Sequence, residues 1–438
     1  MISSVTAEEQ MEVSSNGPAD PGEWNGEQPD IHPMIASAFR ALDGLGPWVL
    51  LRGEDDLVRP AGDVDVLVGD GHIQHLDKVL EGVGFRRLLA PGHGSHRFYF
   101  CYDSAADLWL KLDIVSEISF GPYQQWPTPL ARGCLKRRIR NGLLWLPATT
   151  EQAWLQLLHT MLDKGGRVRP DRLDTVRIAG TLASTNDAVA AYVDRQVGPG
   201  TAAQLLELAR SGSVEDLPGP ALRMAAALTG NAPLRSRLLA GRNRASRLIG
   251  PTFRGRFGRG IVVGVVGPEG EAKAALLRGL REAFPLPGRH VHVGGNEPGR
   301  WDGWLGRVPG GRLGPEMIRR LRGAVAARYH CRRGRLVLMD GPAYESSLRR
   351  FAGPAAGGWR RGSWAPRPDV LLELDSPGRA VPGARRLRNR WVLDSAQPQP
   401  ALRRLAAGIV WAQVTGSAPP QAASGGSATL DGSVGEQA

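Results

Sequence analysis

The run Ile261-Val262-Val263-Gly264-Val265-Val266 limits the possible folds more than any other stretch of the chain. It is apolar at every position, and a strand written that way is buried on both faces, as in a parallel sheet covered by helices. Arg335-Leu336-Val337-Leu338-Met339-Asp340 and Asp369-Val370-Leu371-Leu372-Glu373-Leu374-Asp375 follow the same pattern, each ending in a carboxylate. A helix is expected over Ala275 to Ala283, directly after the first strand. Residues 258–414 are therefore expected to form a parallel-sheet α/β unit.

The N-terminal half reads differently. Strands are expected at Trp48–Leu51, Val64–Val68, Phe85–Leu89, Arg97–Tyr102 and Leu108–Val115, the last with Leu108, Leu110, Leu112 and Ile114 alternating onto one face. Helical patterns run from His32 to Leu42 and through Ile73, Leu76, Val79 and Leu80. Together these predict a small mixed sheet with helices over residues 31–174. Ala- and Leu-rich stretches from 175 to 257, notably Ala202 to Arg210 and Ala221 to Leu228, predict a helical connector. A length of 438 residues suits two or three cores rather than one. The expected fold is α/β with two domains. Residues 1–30 and 415–438, rich in Ser, Gly, Glu and Pro, are expected to be disordered.

Of 55 basic residues only Lys78, Lys111, Lys136, Lys164 and Lys273 are lysine, the other 50 being arginine. The net charge of +12 suits phosphates, nucleic acid or an anionic membrane surface, and its sign does not choose between them. Arg137-Arg138, Arg332-Arg333 and Arg385-Arg386 lack aromatic interleaving and read as solvated surface, which makes nucleic-acid binding the weaker alternative. No apolar run approaches the roughly 20 residues of a spanning helix, and the acidic N-terminus is unlike a secretory signal, so a cytoplasmic protein without membrane insertion is expected. Cys101, Cys134 and Cys331 lie far apart, which fits a reducing compartment and suggests no zinc site.

On a strand, residues two apart share a face, so Asp63 and Asp65 point off one side while Val64 and Val66 enter the core. Two like charges held that close favour a divalent cation, and hard oxygen donors suit Mg²⁺ or Mn²⁺. Asp113 interrupts the core-like strand Leu110-Lys111-Leu112-Asp113-Ile114-Val115 and would supply a third donor. A Gly turn at Gly53, an Asp-x-Asp on the next strand and a third Asp on a later strand resemble the nucleotidyltransferase superfamily over about residues 35–165. The resemblance implies that Asp63 and Asp65 bind two ions, that Asp113 binds the ion activating an acceptor hydroxyl, and that Gly53 grips a triphosphate. The turn here is Gly53-Glu54-Asp55-Asp56, where the family usually has a second small residue. A further helix is expected over Glu151 to Lys164, begun by a Thr149-x-x-Gln152 capping box, with His159 and Asp163 on one face.

After Ile261–Val266 come Gly267-Pro268-Glu269-Gly270-Glu271-Ala272-Lys273-Ala274, in the order of a phosphate-binding loop, with Ala272 and Ala274 where that motif has glycine and a hydroxyl. Lysine is rare in this chain, which makes its choice at 273 informative. Residues 258–395 resemble the thymidylate kinase-like branch of P-loop kinases. That resemblance implies nucleotide contacts at Gly267, Gly270, Lys273 and Asp340, and a lid near Arg379 to Arg390 with Arg385, Arg386 and Arg388. Taken together, the expectation is a nucleotide-dependent transferase using Mg²⁺ (or Mn²⁺) and ATP or another nucleoside triphosphate, acting on a small-molecule or nucleotide acceptor. The departures at both motifs leave a non-catalytic nucleotide-sensing scaffold as the alternative.

Overall fold

A computed structural model describes residues 30–53, 56–253, 260–268, 270–285, 288–292, 314–341, 368–375 and 389–420. The expected disordered ends fall almost wholly outside these residues, and the expected lid does so up to Arg388.

The first unit begins with α1 (Pro33–Leu45), whose N-cap His32 accepts the Met34 amide on Nδ1. Strands β1 (Trp48–Arg52), β2 (Val64–Val68), β3 (Arg86–Leu88), β4 (Arg97–Asp103) and β5 (Leu108–Val115) form one mixed sheet in the order β1-β2-β5-β4-β3. Only the β2/β5 pair is parallel. The face carrying Val64, Val66, Tyr99, Leu110, Leu112 and Ile114 packs on α1 and α2 (Leu76–Glu81). Two small hairpins follow, β6 (Ser119–Phe120) with β7 (Trp126–Pro127) and β8 (Ile139–Asn141) with β9 (Leu144–Leu146), flanking α3 (Leu130–Lys136).

Helices α4 (Thr149–Leu158), α5 (Leu173–Leu182), α6 (Ala188–Val197), α7 (Thr201–Ser211), α8 (Pro218–Asn231) and α9 (Pro233–Phe253) come next. The expected capping box is not formed: α4 starts on Thr149 behind Ala148, with no side-chain cap. The helix expected to continue to Lys164 widens into a π turn over His159–Asp163. The expected connector, residues 175–257, is helical over its described residues, up to 253, and packs on the first unit. Residues of α4 to α8 share one apolar cluster with Val49, Leu67 and Val115 of the mixed sheet, so these helices cover one end of its second face.

The second sheet is all-parallel, as its apolar writing demands. Strands β10 (Ile261–Val266), β11 (Gly288–His292), β12 (Leu336–Asp340), β13 (Val370–Asp375) and β14 (Arg390–Asp394) take the order β11-β12-β10-β13-β14. Helices α10 (Glu271–Ala283), α11 (Gly314–Arg332) and α12 (Gln399–Thr415) accompany it. Helix α10 begins four residues earlier than expected, because Gly270 acts as its N-cap, so Ala272, Lys273 and Ala274 are helical.

The two sheets share a core. Leu88, Phe100 and Tyr102 of the mixed sheet join the apolar cluster of β10, β13, α10 and α12. Trp109 stands edge-on to Trp411 and Phe284, with ring centroids 4.9 Å and 5.2 Å away, and Arg403 pairs with Asp107.

Candidate functional site

One face of the mixed sheet is apolar at both ends, under the helices around Val49 and Leu67 and against the second sheet at Phe100 and Tyr102. Charge is gathered between these patches. The parallel register puts Asp65 opposite Asp113 and Val64 opposite Leu112, so the two carboxylates stand side by side on adjacent strands. Each has a basic neighbour. The Arg52 Nε lies 2.9 Å from an Asp65 oxygen. The His96 Nδ1 lies 2.8 Å and 3.0 Å from the two oxygens of Asp113, which is only 7% exposed. Asp63 accepts a hydrogen bond from the Lys111 Nζ at 2.5 Å, and Lys111 in turn sits over the Phe98 ring at 4.8 Å.

Arg52 reaches Asp65 through a backbone irregularity. The antiparallel β1/β2 register runs Val49 to Leu67 and Leu50 to Val66, then skips to Arg52 opposite Asp65. Uninterrupted pairing would set Leu51 there and turn Arg52 to the other face, so the bulge re-aims the guanidinium, a common use of bulges beside functional sites.

The electrostatics are unbalanced. Burial pushes the Asp65 carboxyl up to about 6, and Asp113 and Asp63 add to the shift while Arg52 opposes it. Next to this row, the π turn carries His159, whose Nδ1 lies 2.7 Å from Asp163. Asp163 is held by the Gly121 amide at 2.6 Å. Burial lowers the pKa of His159, Asp163 opposes that, and the charge of Arg52 lowers it further, so the imidazole is neutral near pH 7.

Gly53 follows β1 directly and lies beside Asp63: a Cβ on it would lie 3.4 Å from the Asp63 carbonyl oxygen. The three carboxylates share one sheet face but do not form one ligand cluster. Among the described residues no three His, Cys, Asp or Glu side chains stand close enough to hold a metal ion, and Lys111 engages the Asp63 carboxylate. Asp65 and Asp113, engaged here by Arg52 and His96, are the two carboxylates that could together hold a hard cation, as Mg²⁺ is commonly held by one or two carboxylates, water and substrate phosphates. A divalent charge would also offset the burial, and the smaller repulsion from Asp113 and Asp63, that raise Asp65. The three cysteines are buried and free, and burial pushes the Cys101 thiol up to about 12, far from a thiolate ligand.

The other expected residues meet at the carboxyl ends of the parallel strands, where open α/β sheets take ligands. Gly270, Lys273 and Asp340 line one cavity of about 200 Å³ together with Arg278, Arg281 and His290. The His290 Nε2 lies 2.7 Å from Asp340. Gly267, at the end of β10, has φ +137°, and a Cβ there would meet the Leu374 side chain at 2.8 Å. Sequence reasoning did not find Arg52, His96, Lys111, Arg278, Arg281 or His290. Lys111 alone had a signal, a rare lysine two residues before Asp113 on the same strand face.

Compared with known proteins, the chain matches no protein-family model and no curated protein.

Proposed function

We propose that this protein is a nucleotide-dependent transferase, moving a nucleotidyl or phosphoryl group to a small hydroxylated or nucleotide acceptor at the mixed-sheet carboxylates. Asp65 and Asp113 would hold Mg²⁺ or Mn²⁺, which would neutralise triphosphate charge and acidify the attacking hydroxyl. Arg52 and Lys111 stand where they can exchange a carboxylate partner for a phosphate oxygen. His159, neutral and held through Nδ1 by Asp163, offers Nε2 to the proton of the acceptor hydroxyl. The cavity at Lys273 is the nucleotide or phosphate site of the second sheet, with Lys273, Arg278 and Arg281 as its cations.

The observation that carries this reading is Asp65: a partly buried carboxyl beside a second carboxyl, pushed up to about 6 even with an arginine against it. Such a group costs folding free energy, and perturbed carboxylates of this kind gather at functional sites. With nucleoside triphosphates and Mg²⁺, the protein is expected to release pyrophosphate or transfer phosphate. Asp65→Asn is expected to abolish turnover with its circular dichroism unchanged. Turnover equal to that of the parent would defeat the proposal.

A second reading is supported by the basic partner on each carboxylate and by Ala272 and Ala274 in the phosphate loop. In it the protein binds nucleotide at Lys273 without transfer. Nucleotide binding by titration calorimetry, lost in Lys273→Ala and unaccompanied by turnover, would select it.

A further inference from the structure

Helix α9 is amphipathic in the wrong sense for a helix packed on a soluble core. Its polar Ser236 and Asn243 are buried against the protein, and Asn243 Nδ2 donates to the Tyr123 carbonyl. Arg247 is turned inward as well, donating to the carbonyls of Gly92 and Pro122 and to Gln124. Of the four leucines on the helix, Leu239 is half-buried on the inner side and the other three face outward, Leu234, Leu238 and Leu248 being 72%, 64% and 70% exposed.

These leucines fall on one line. At 100° per residue, Leu234, Leu238, Gly241, Ala245 and Leu248 form a narrow ridge along the helix, with Ser236 and Asn243 on the opposite side. Arg235 and Arg242 lie about 80° to one side of the ridge and Arg237 and Arg244 about 80° to the other, all four exposed. The helix carries five arginines and no acidic residue.

We infer that α9 lies on an anionic lipid surface, with the leucine ridge among the acyl chains and the four flanking arginines at headgroup level. A convex apolar ridge with cations on both flanks is the form of an interfacial helix, whose long basic side chains reach sideways to phosphate. A second copy is disfavoured, because it would bring four more arginines against these four. Nucleic acid would satisfy the arginines and leave the leucines in water. No helix among the described residues is long and apolar enough to cross a membrane, so the attachment is peripheral. Through Asn243 and Arg247 the same helix holds the segments around Gly92 and Tyr123, which flank the strand pair bearing His96 and Asp113.

Co-sedimentation of the full chain with phosphatidylcholine vesicles, with and without phosphatidylserine, tests this. Sedimentation is expected with the anionic vesicles only and should weaken as salt is raised. It should fall several-fold both in the triple variant Leu234→Ser, Leu238→Ser, Leu248→Ser and in the quadruple variant Arg235→Gln, Arg237→Gln, Arg242→Gln, Arg244→Gln. All seven side chains are exposed, so the fold should survive both changes, as circular dichroism would verify. Failure of the parent to bind anionic vesicles at low salt overturns the inference. So does binding that survives the leucine changes, since it would be charge attraction alone, of the kind nucleic acid or an acidic protein also gives.

Discussion

Asp65 is expensive to keep. A carboxyl whose folded pKa lies above its unfolded value holds its proton more tightly in the fold. That contribution is complete below the ordinary value of 3.8 and is lost as pH rises through about 6. At about pH 8 the ionised side chain therefore destabilises the fold by up to about 3 kcal/mol. Asp65→Asn is expected to be more stable than the parent by about 1–3 kcal/mol at about pH 8, with the two converging below about pH 4, as read from urea unfolding at each pH. Equal stability at about pH 8 would show that Arg52 already neutralises the group. The carboxylates themselves were legible in the sequence, because a period of two fixes which strand residues share a face. Their counter-charges were not. Arg52 reaches Asp65 only through the bulge in β1, Lys111 reaches Asp63 only through the β2/β5 register, and His96 comes from the start of a third strand. All three depend on pairing between segments distant in sequence.

At the scale of elements, strands that alternate or are uniformly apolar were visible because burial dictates their composition. The five strands of the mixed sheet and β10, β12 and β13 lie within a residue or two of the expected positions. β11 and β14 begin with charged or small residues and carry no such pattern, and the hairpins β6–β7 and β8–β9 are two or three residues per strand. Helix ends were less legible: Thr149 looked like a cap and is the first helical residue, while Gly270 caps α10 without a side chain. The junction of β10 and α10 depends on Gly267, where positive φ and the closeness of Leu374 leave no room for a side chain. Gly267→Ala should lose about 1–3 kcal/mol of stability through strain and displacement of β13. An unchanged thermal midpoint would mean that the loop relaxes freely.

At the scale of the whole molecule, the sequence suggested two units with helices strung between them, whereas the structure has those helices and the second sheet sharing one face of the first. α4 to α8 take one end of it through Val49, Leu67 and Val115. Trp109, Trp411 and Phe284 close the other. Apolar periodicity marks which residues are buried but not against what, so the sharing of a face could not be read from it. Its consequence is a row of charge walled by apolar contacts, in which Asp65 and Asp113 are neighbours and water is partly excluded. Electron paramagnetic resonance of Mn²⁺ titrated into the full chain, with a nucleoside triphosphate present, tests that pair most directly. The parent is expected to bind Mn²⁺ in a site lost in Asp113→Asn and in Asp65→Asn but kept in Lys273→Ala, whereas identical binding in the parent and both aspartate variants would contradict a metal site at Asp65 and Asp113.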